Sequence, residues 1–472
     1  MKRIIFVITL VVMFSVGAFA QYGVRYSLSN LAGNNSIVRQ WANNKYLLYT
    51  EESGSTEKFV LIEGTTQVPT AKAVSLKNMY KIRDFAVCND SVFFIGVYKN
   101  RGFWGYFNIN NLFTNGDTIT YFLTNIISSS FGGPIGDDWQ YSFVNFDELQ
   151  TIPLPGRTEL LLTGFRQYAI YENGIQMSTS STPCLFHVKP PYTSFDYAYN
   201  ASGSEKFDDI ALNGNDIVVV GREDYTASDS ANILFRYFSA SNFDFTATPS
   251  KEQIRKNQTP SMSKVLIEDV GSISGNDFAI TYYGNHNSNQ GLFVELYSIT
   301  LSNSSAYLYH NYYTFLPQGN PLATGCTLKK STFNSIANTF CVLQDMMAPS
   351  LNVLSSVICR FEFANYPNSV ACTTSHRTEY GTSVNSLANS VYGGYDYILS
   401  SGKWSSQSMF IRENASFQSS CLFHEALPLT SDNNLDTPSS TLMTLTKGTY
   451  TATRTPFYST PSTTSCSLQC AH

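Results

Sequence analysis

One segment pattern returns seven times along the 472-residue chain. It reads Asn43–Thr50 (NNKYLLYT), Cys88–Gly96 (CNDSVFFIG), Arg157–Gly164 (RTELLLTG), Gly214–Gly221 (GNDIVVVG), Gly275–Gly284 (GNDFAITYYG), Ala337–Asp345 (ANTFCVLQD) and Gly393–Gly402 (GGYDYILSSG). Each copy opens on a polar turn, runs through a short apolar stretch and mostly closes on glycine. The closing glycines Gly96, Gly164, Gly221, Gly284 and Gly402 lie 68, 57, 63 and 118 residues apart, and the last gap contains the sixth copy. Such a period marks a chain built of one supersecondary unit repeated, with each unit burying its apolar face only against its neighbours.

The unit is made of strands. A second apolar run follows each copy after a polar loop: Phe59–Ile62, Phe103–Phe107, Leu185–Val188, Ile233–Phe238, Leu292–Tyr297, Val357–Phe361 and Met409–Arg412. Short runs bounded by Gly, Asn and Ser at this spacing are hairpins. An acidic–apolar pair often precedes the copy (Asp84-Phe85, Asp209-Ile210, Asp269-Val270), which supplies a third strand, and the interval leaves room for a fourth. Composition agrees: aromatics reach 14%, with 30 Tyr and 33 Phe, and charged residues only 14%, a mixture suited to pleated sheets. Pro-free stretches with helical periodicity are scarce.

Seven four-stranded units of about sixty residues resemble the seven-bladed β-propeller superfold of exported proteins, in which radial repetition leaves only short, protected edges. The resemblance implies an all-β ring over residues 21–425. It carries no family signature: there is no Trp-Asp ending, no kelch pattern and no Asp-box. Residues 426–472 change character and become rich in Ser and Thr. They are expected to form an extension that is partly ordered, or to supply one strand that closes the ring.

The N-terminus reads as a cleavable signal peptide over residues 1–20. Lys2 and Arg3 precede an apolar stretch from Ile4 to Phe14, and Ala18-Phe19-Ala20 gives a small-residue cleavage site before Gln21. The stretch is shorter than a membrane span needs, and no other segment is apolar enough to cross. A secreted, periplasmic or cell-surface location follows. The net charge of -5 offers no basic footprint for nucleic acid.

Export makes disulfides expected among the nine cysteines. Cys341 and Cys359 fall on the paired strands of one hairpin, placed symmetrically about residue 350, and form the disulfide candidate. No catalytic set, metal-ligand spacing or phosphate loop is present, so no cofactor is expected. Two features carry candidate chemistry. The recurring acids Asp84, Asp208, Asp209, Glu268 and Asp269 would converge near the axis of a ring, either as an acidic site or as acceptors for backbone N–H groups in their own turns. Ser128–Tyr141 (SSSFGGPIGDDWQY) fills the longest interval between copies. It combines Asp137 and Asp138 with the flat surfaces of Trp139 and Tyr141, a composition suited to peptide or sugar capture on a loop. The leading expectation is therefore an exported, non-enzymatic binding protein for a protein or polysaccharide. The alternative is a glycosidase or lyase on the same scaffold.

Overall fold

The computed structural model describes residues 24–471 apart from connecting segments, of which 299–305, 315–326, 415–422 and 434–444 are the longest. The chain is all-β, with one short helix, α1 (Ile109–Asn115), among the described residues. Seven antiparallel meanders of four strands follow one another. The first uses Ile37–Ala42, Lys45–Glu51, Glu57–Glu63 and Thr70–Ser75. The second uses Lys81–Cys88, Ser91–Tyr98, Arg101–Asn108 and Asp117–Thr124. The third is longer: Asp138–Leu154, Arg157–Glu172, Ile175–Val188 and Ser194–Asn200. The fourth to sixth begin at Glu205–Asn213, Leu266–Asp269 and Thr327–Asn334 and repeat the order. The seventh takes Thr382–Tyr392, Tyr395–Trp404 and Gln407–Asn414 from the end of the repeats and its outer strand, Val24–Leu28, from the beginning of the chain.

The seven first strands touch one another in cyclic order, the seventh against the first. Apolar clusters fill the spaces between successive meanders rather than one common centre. Tyr49, Phe59, Phe85, Phe94 and Phe107 knit the first to the second, and Trp104, Phe146, Phe186 and Phe195 the second to the third. Tyr26, Tyr46, Leu399 and Phe410 join the seventh to the first. The recurring apolar copies are the second strands, buried on both faces, which explains why they read as continuous runs rather than as alternating ones.

The recurring glycine has a steric cause. The first strand of most meanders carries a β-bulge, between Ile82 and Asp84, Phe146 and Glu148, Phe207 and Asp209, and Val384 and Ser386. The residue opposite each bulge is Gly96, Gly164, Gly221 or Gly402. A Cβ on Gly96 would lie 2.0 Å from the Lys81 carbonyl oxygen, and one on Gly221 would lie 1.9 Å from that of Lys206. The bulged strand leaves no room for a side chain there. Gly284 is different: it faces Gly291 farther along its hairpin and is no counterpart of the others.

The C-terminal residues do not stand apart from the ring. They run around its rim, adding a strand to one outer edge after another. Phe423–Ala426 pairs with the sixth meander and Thr430–Asn433 with the fifth. Leu445–Ser459 pairs first with the third and then with the second, which joins those two into one ten-stranded sheet. Ser462–Thr464 pairs with the first, and Cys466–Ala471 with Val24–Leu28 of the seventh. The strand completing the seventh meander comes from the N-terminus, so the tail covers edges rather than supplying the missing strand.

Cys341 and Cys359 are free, fully buried thiols, a correction to the expected disulfide. The hairpin register pairs Cys341 with Arg360 and Val342 with Cys359. A pairing one residue away from the expected centre sends the two sulfurs to opposite faces of the sheet. Cys341 enters the core with Leu343 and Ile358, while Cys359 lies 3.3 Å from Gln344 Nε2 on the other face.

Candidate functional site

The first strands surround two chambers on the axis of the ring. The larger, about 680 Å³, is lined by residues at or before the bulges, among them Arg83, Asp147, Asp208, Lys264 and Lys329. The smaller, about 380 Å³, is lined by residues after the bulges. Glu148 belongs to both.

Asp84 and Asp209 occupy the same bulge position in their meanders and do the same job. Each Oδ1 accepts the N–H of the next residue, Phe85 or Ile210, at 2.9 Å. Each Oδ2 accepts an N–H from the first strand of the following meander, Leu149 at 3.2 Å and Ile267 at 3.0 Å. Asp208 adds Val265 N at 3.0 Å and a two-pronged contact with Arg222 at 2.7 and 2.9 Å. Ser386 closes the circle by accepting Val38 N at 3.3 Å. Asp84, Asp208 and Asp209 are thus backbone acceptors, as the structural alternative held, but they bind across meanders as well as within their own. Glu268 stands apart from that series. It accepts from Ser331 Oγ at 3.0 Å and lines the smaller chamber.

Cations from neighbouring and from distant meanders meet these acids. Lys330 reaches Glu148 and stands 3.9 Å from Asp84, Lys264 reaches Glu148 from the larger chamber, and Arg39 lies 3.0 Å from Asp84. The protonation pattern is uneven. Burial alone would push Glu148 up, but the ammonium groups of Lys264 and Lys330 hold its carboxyl down at about 2. Burial, reinforced by the Glu148 charge, pushes Asp209 up to about 6, and burial with the neighbouring Asp209 pushes Glu268 up to about 8. Burial also raises Asp84. Lys330 would lose its proton to burial, but Asp84, Glu148 and Asp209 keep it charged. Among the described residues no cluster of His, Cys, Asp and Glu has a metal-binding arrangement.

The segment Ser128–Tyr141 is not a bare loop. Asp138, Trp139 and Tyr141 sit in the first strand of the third meander, which runs 17 residues, and Asp137 lies outside the described residues. Trp139 pairs with Ser130 on one side and Tyr171 on the other. The strands of this meander continue past the bulge as a flap, with Ile127–Phe131 added at its edge. Ile126 and Ile127 are each 45% exposed, Ile175 67% and Met177 58%; the other large apolar side chains so exposed among the described residues are Met79 and Tyr458.

Lys264, Lys330 and Glu148 escaped the sequence reading. Glu148-Leu149 is the same acidic–apolar doublet as Asp84-Phe85, but it precedes its glycine by 16 residues where Asp84 and Asp209 precede theirs by 12, because the connection to the next strand is longer. The lysines carried no pattern.

No family model matches the sequence, and no curated protein does. Among solved structures the chain is similar to the phage phi92 endosialidase at 10% sequence identity, over 83% of this chain and 69% of that chain, with a TM-score of 0.38.

Proposed function

We propose that the protein is an exported, seven-bladed β-propeller that binds another protein through the flap of its third blade. The observation that carries this reading is the concentration of exposed aliphatic side chains at Ile126, Ile127, Ile175 and Met177. Exposed aliphatic side chains at two edges of one rigid flap suit a docking surface that spans it. Its aliphatic character favours a protein over a polysaccharide, which stacks on aromatic rings. The test is a photo-crosslinking side chain at position 177, with one at position 79 as an equally exposed control. A discrete adduct from position 177 in the native envelope, absent at position 79, supports the reading. No adduct, or the same adducts at both positions, refutes it.

A second reading rests on a different observation. Glu268 at about 8 and Glu148 at about 2 are the opposed protonation states of an acid–base pair in glycoside cleavage. Release of reducing ends from a polysaccharide, abolished by Glu268→Gln, would favour it. Against it stands the engagement of Glu148 by two lysines, which leaves that carboxylate no free face for water.

A further inference from the structure

Among the described residues the C-terminal strands leave the rim of one meander without an added strand. They pair in turn with the sixth, fifth, third, second, first and seventh meanders. The sheet of the fourth has four strands and ends on its own outer strand, Lys251–Asn257. The inner side of that strand pairs with Ala231–Ser239 along its whole length. Its outer side presents a row of backbone N–H and C=O groups, the template on which a further strand is laid.

The sequence of this strand, KEQIRKN, is complementary to its own reverse. In an antiparallel pair related by a two-fold axis, one residue lies directly across from its own copy, because outward backbone groups alternate along a strand. Overlap of all seven residues puts that axis at Ile254. Glu252 then stands across from Lys256 of the second copy, and Lys256 across from its Glu252. Lys251 meets Asn257 and Gln253 meets Arg255, so no like charges are opposed. Moving the axis by one residue loses this: centred on Gln253, Lys251 faces Arg255, and centred on Arg255, that residue faces itself. Glu252, Ile254 and Lys256 share one face by alternation. The cross-strand neighbour of Lys256 in its own sheet is the neutral Asn232, so the second copy supplies an acid opposite it.

We propose that the outer edge of the fourth meander is a homodimer interface, in which two copies of the chain pair Lys251–Asn257 antiparallel and join their fourth sheets into one. The contact is isologous and closes on itself, so it yields a dimer and not a filament. The site is separate from the flap and does not depend on what the flap binds. Seven paired residues form a small contact, so the dimer is reversible and comes apart on dilution.

The competing occupant of the edge is the same chain. Residues 434–444 lead from Asn433 on the fifth meander to Leu445 on the third and lie outside the described residues. They carry one acid, Asp436, to set against the edge's Lys251, Arg255 and Lys256, and Pro438 has no N–H to give to a ladder. The second copy matches the edge in both backbone and charge.

The test is sedimentation velocity of the mature protein over a concentration series, with hydrogen exchange read at peptides covering Lys251–Asn257. The expected result is a reversible monomer–dimer equilibrium in which exchange at those peptides slows as the dimer fills. Glu252→Lys and Lys256→Glu each oppose like charges at two symmetric positions and should weaken dimerisation about tenfold or more. The double variant Glu252→Lys/Lys256→Glu exchanges the partners and should return close to wild-type affinity, which separates lost pairing from lost folding. A monomer at every concentration overturns the inference: slow exchange in that monomer assigns the edge to residues 434–444, and fast exchange leaves it open. A dimer indifferent to both single reversals, or one that the double variant fails to recover, also overturns it, because the contact then lies elsewhere.

Discussion

Glu57 offers a direct measure of what an unpaired charge costs this ring. It opens the third strand of the first meander, is 2% exposed, and neither carboxylate oxygen has a hydrogen-bond partner among the described residues. Burial pushes its carboxyl from 4.5 up to about 7, with the Lys81 ammonium opposing the change. The folded protein thus keeps a proton that the unfolded chain releases between those two values. Stability contributed by this group is intact below pH 4.5, falls as pH rises towards 7, and stays low above it. A change of that size corresponds to about 3 kcal/mol, a large part of a typical folding free energy. Glu57→Gln keeps the shape and removes the titration. At pH 4.5 wild type and variant should unfold at nearly the same urea concentration; at pH 8 the variant should be more stable by about 2–3 kcal/mol, after allowance for an amide that is also unpaired. Urea unfolding followed by circular dichroism at pH 4.5, 6 and 8 gives the comparison. Parallel pH dependence in the two proteins would refute the reasoning, because it would mean that Glu57 is solvated or paired in the folded state.

Other outcomes follow from the same geometry. Gly221→Ala should cost about 3 kcal/mol or more, because its Cβ meets a backbone oxygen at 1.9 Å, while Gly156→Ala, with φ 76° and open space around it, should cost about 1 kcal/mol in the same denaturation assay. Ser386→Ala removes the bond to Val38 N and should cost about 1 kcal/mol, seen as faster proteolysis near Ile37–Ala42. Burial pushes the Cys341 thiol up to about 12, so it should resist alkylation in the native protein and react fully in denaturant without reductant; a disulfide-linked peptide containing Cys341 would contradict the register. Trp139→Ala should reduce the adduct formed from position 177 about tenfold if the ring contacts the partner, whereas a large fall in melting temperature would place the ring in the core.

The repeat was legible because the second strand of each meander is buried on both faces, so its apolar run and the turn before it survive divergence. The glycine was visible as a pattern, but its reason, a bulge on the neighbouring strand, belongs to the pairing and not to any local run. For the acids the limit was register. Asp84 and Asp209 keep a constant distance to their glycines, while Glu148 is displaced by a longer connection and Glu268 lies two residues beyond Leu266, which takes the corresponding place in the fifth meander. Lys264 and Lys330 become partners of Glu148 only when the ring brings meanders together that are 116 and 182 residues apart in sequence. The tail showed its composition but not its path, since strands that pair on one side only need little apolar content. Cys341 and Cys359 show how narrow the margin is: a hairpin centre misplaced by half a residue reverses which face a side chain takes.

The placing of Val24–Leu28 between Gln407–Asn414 and Cys466–Ala471 makes assembly conditional on length. Ser27 and Gln407, whose side chains meet, are 380 residues apart, so at ordinary synthesis rates the first strand waits roughly 20–80 s for its inner neighbour. Its outer neighbour arrives later still. Until then the finished units form an open arc with a bare flank at either end, and each rim edge is free to pair with another chain. A chain broken off before residue 407 can neither shut the arc nor cover its edges. Completeness is thereby proofread by geometry: truncated molecules remain sticky and protease-sensitive, and the last strands laid down turn the arc into a protected ring.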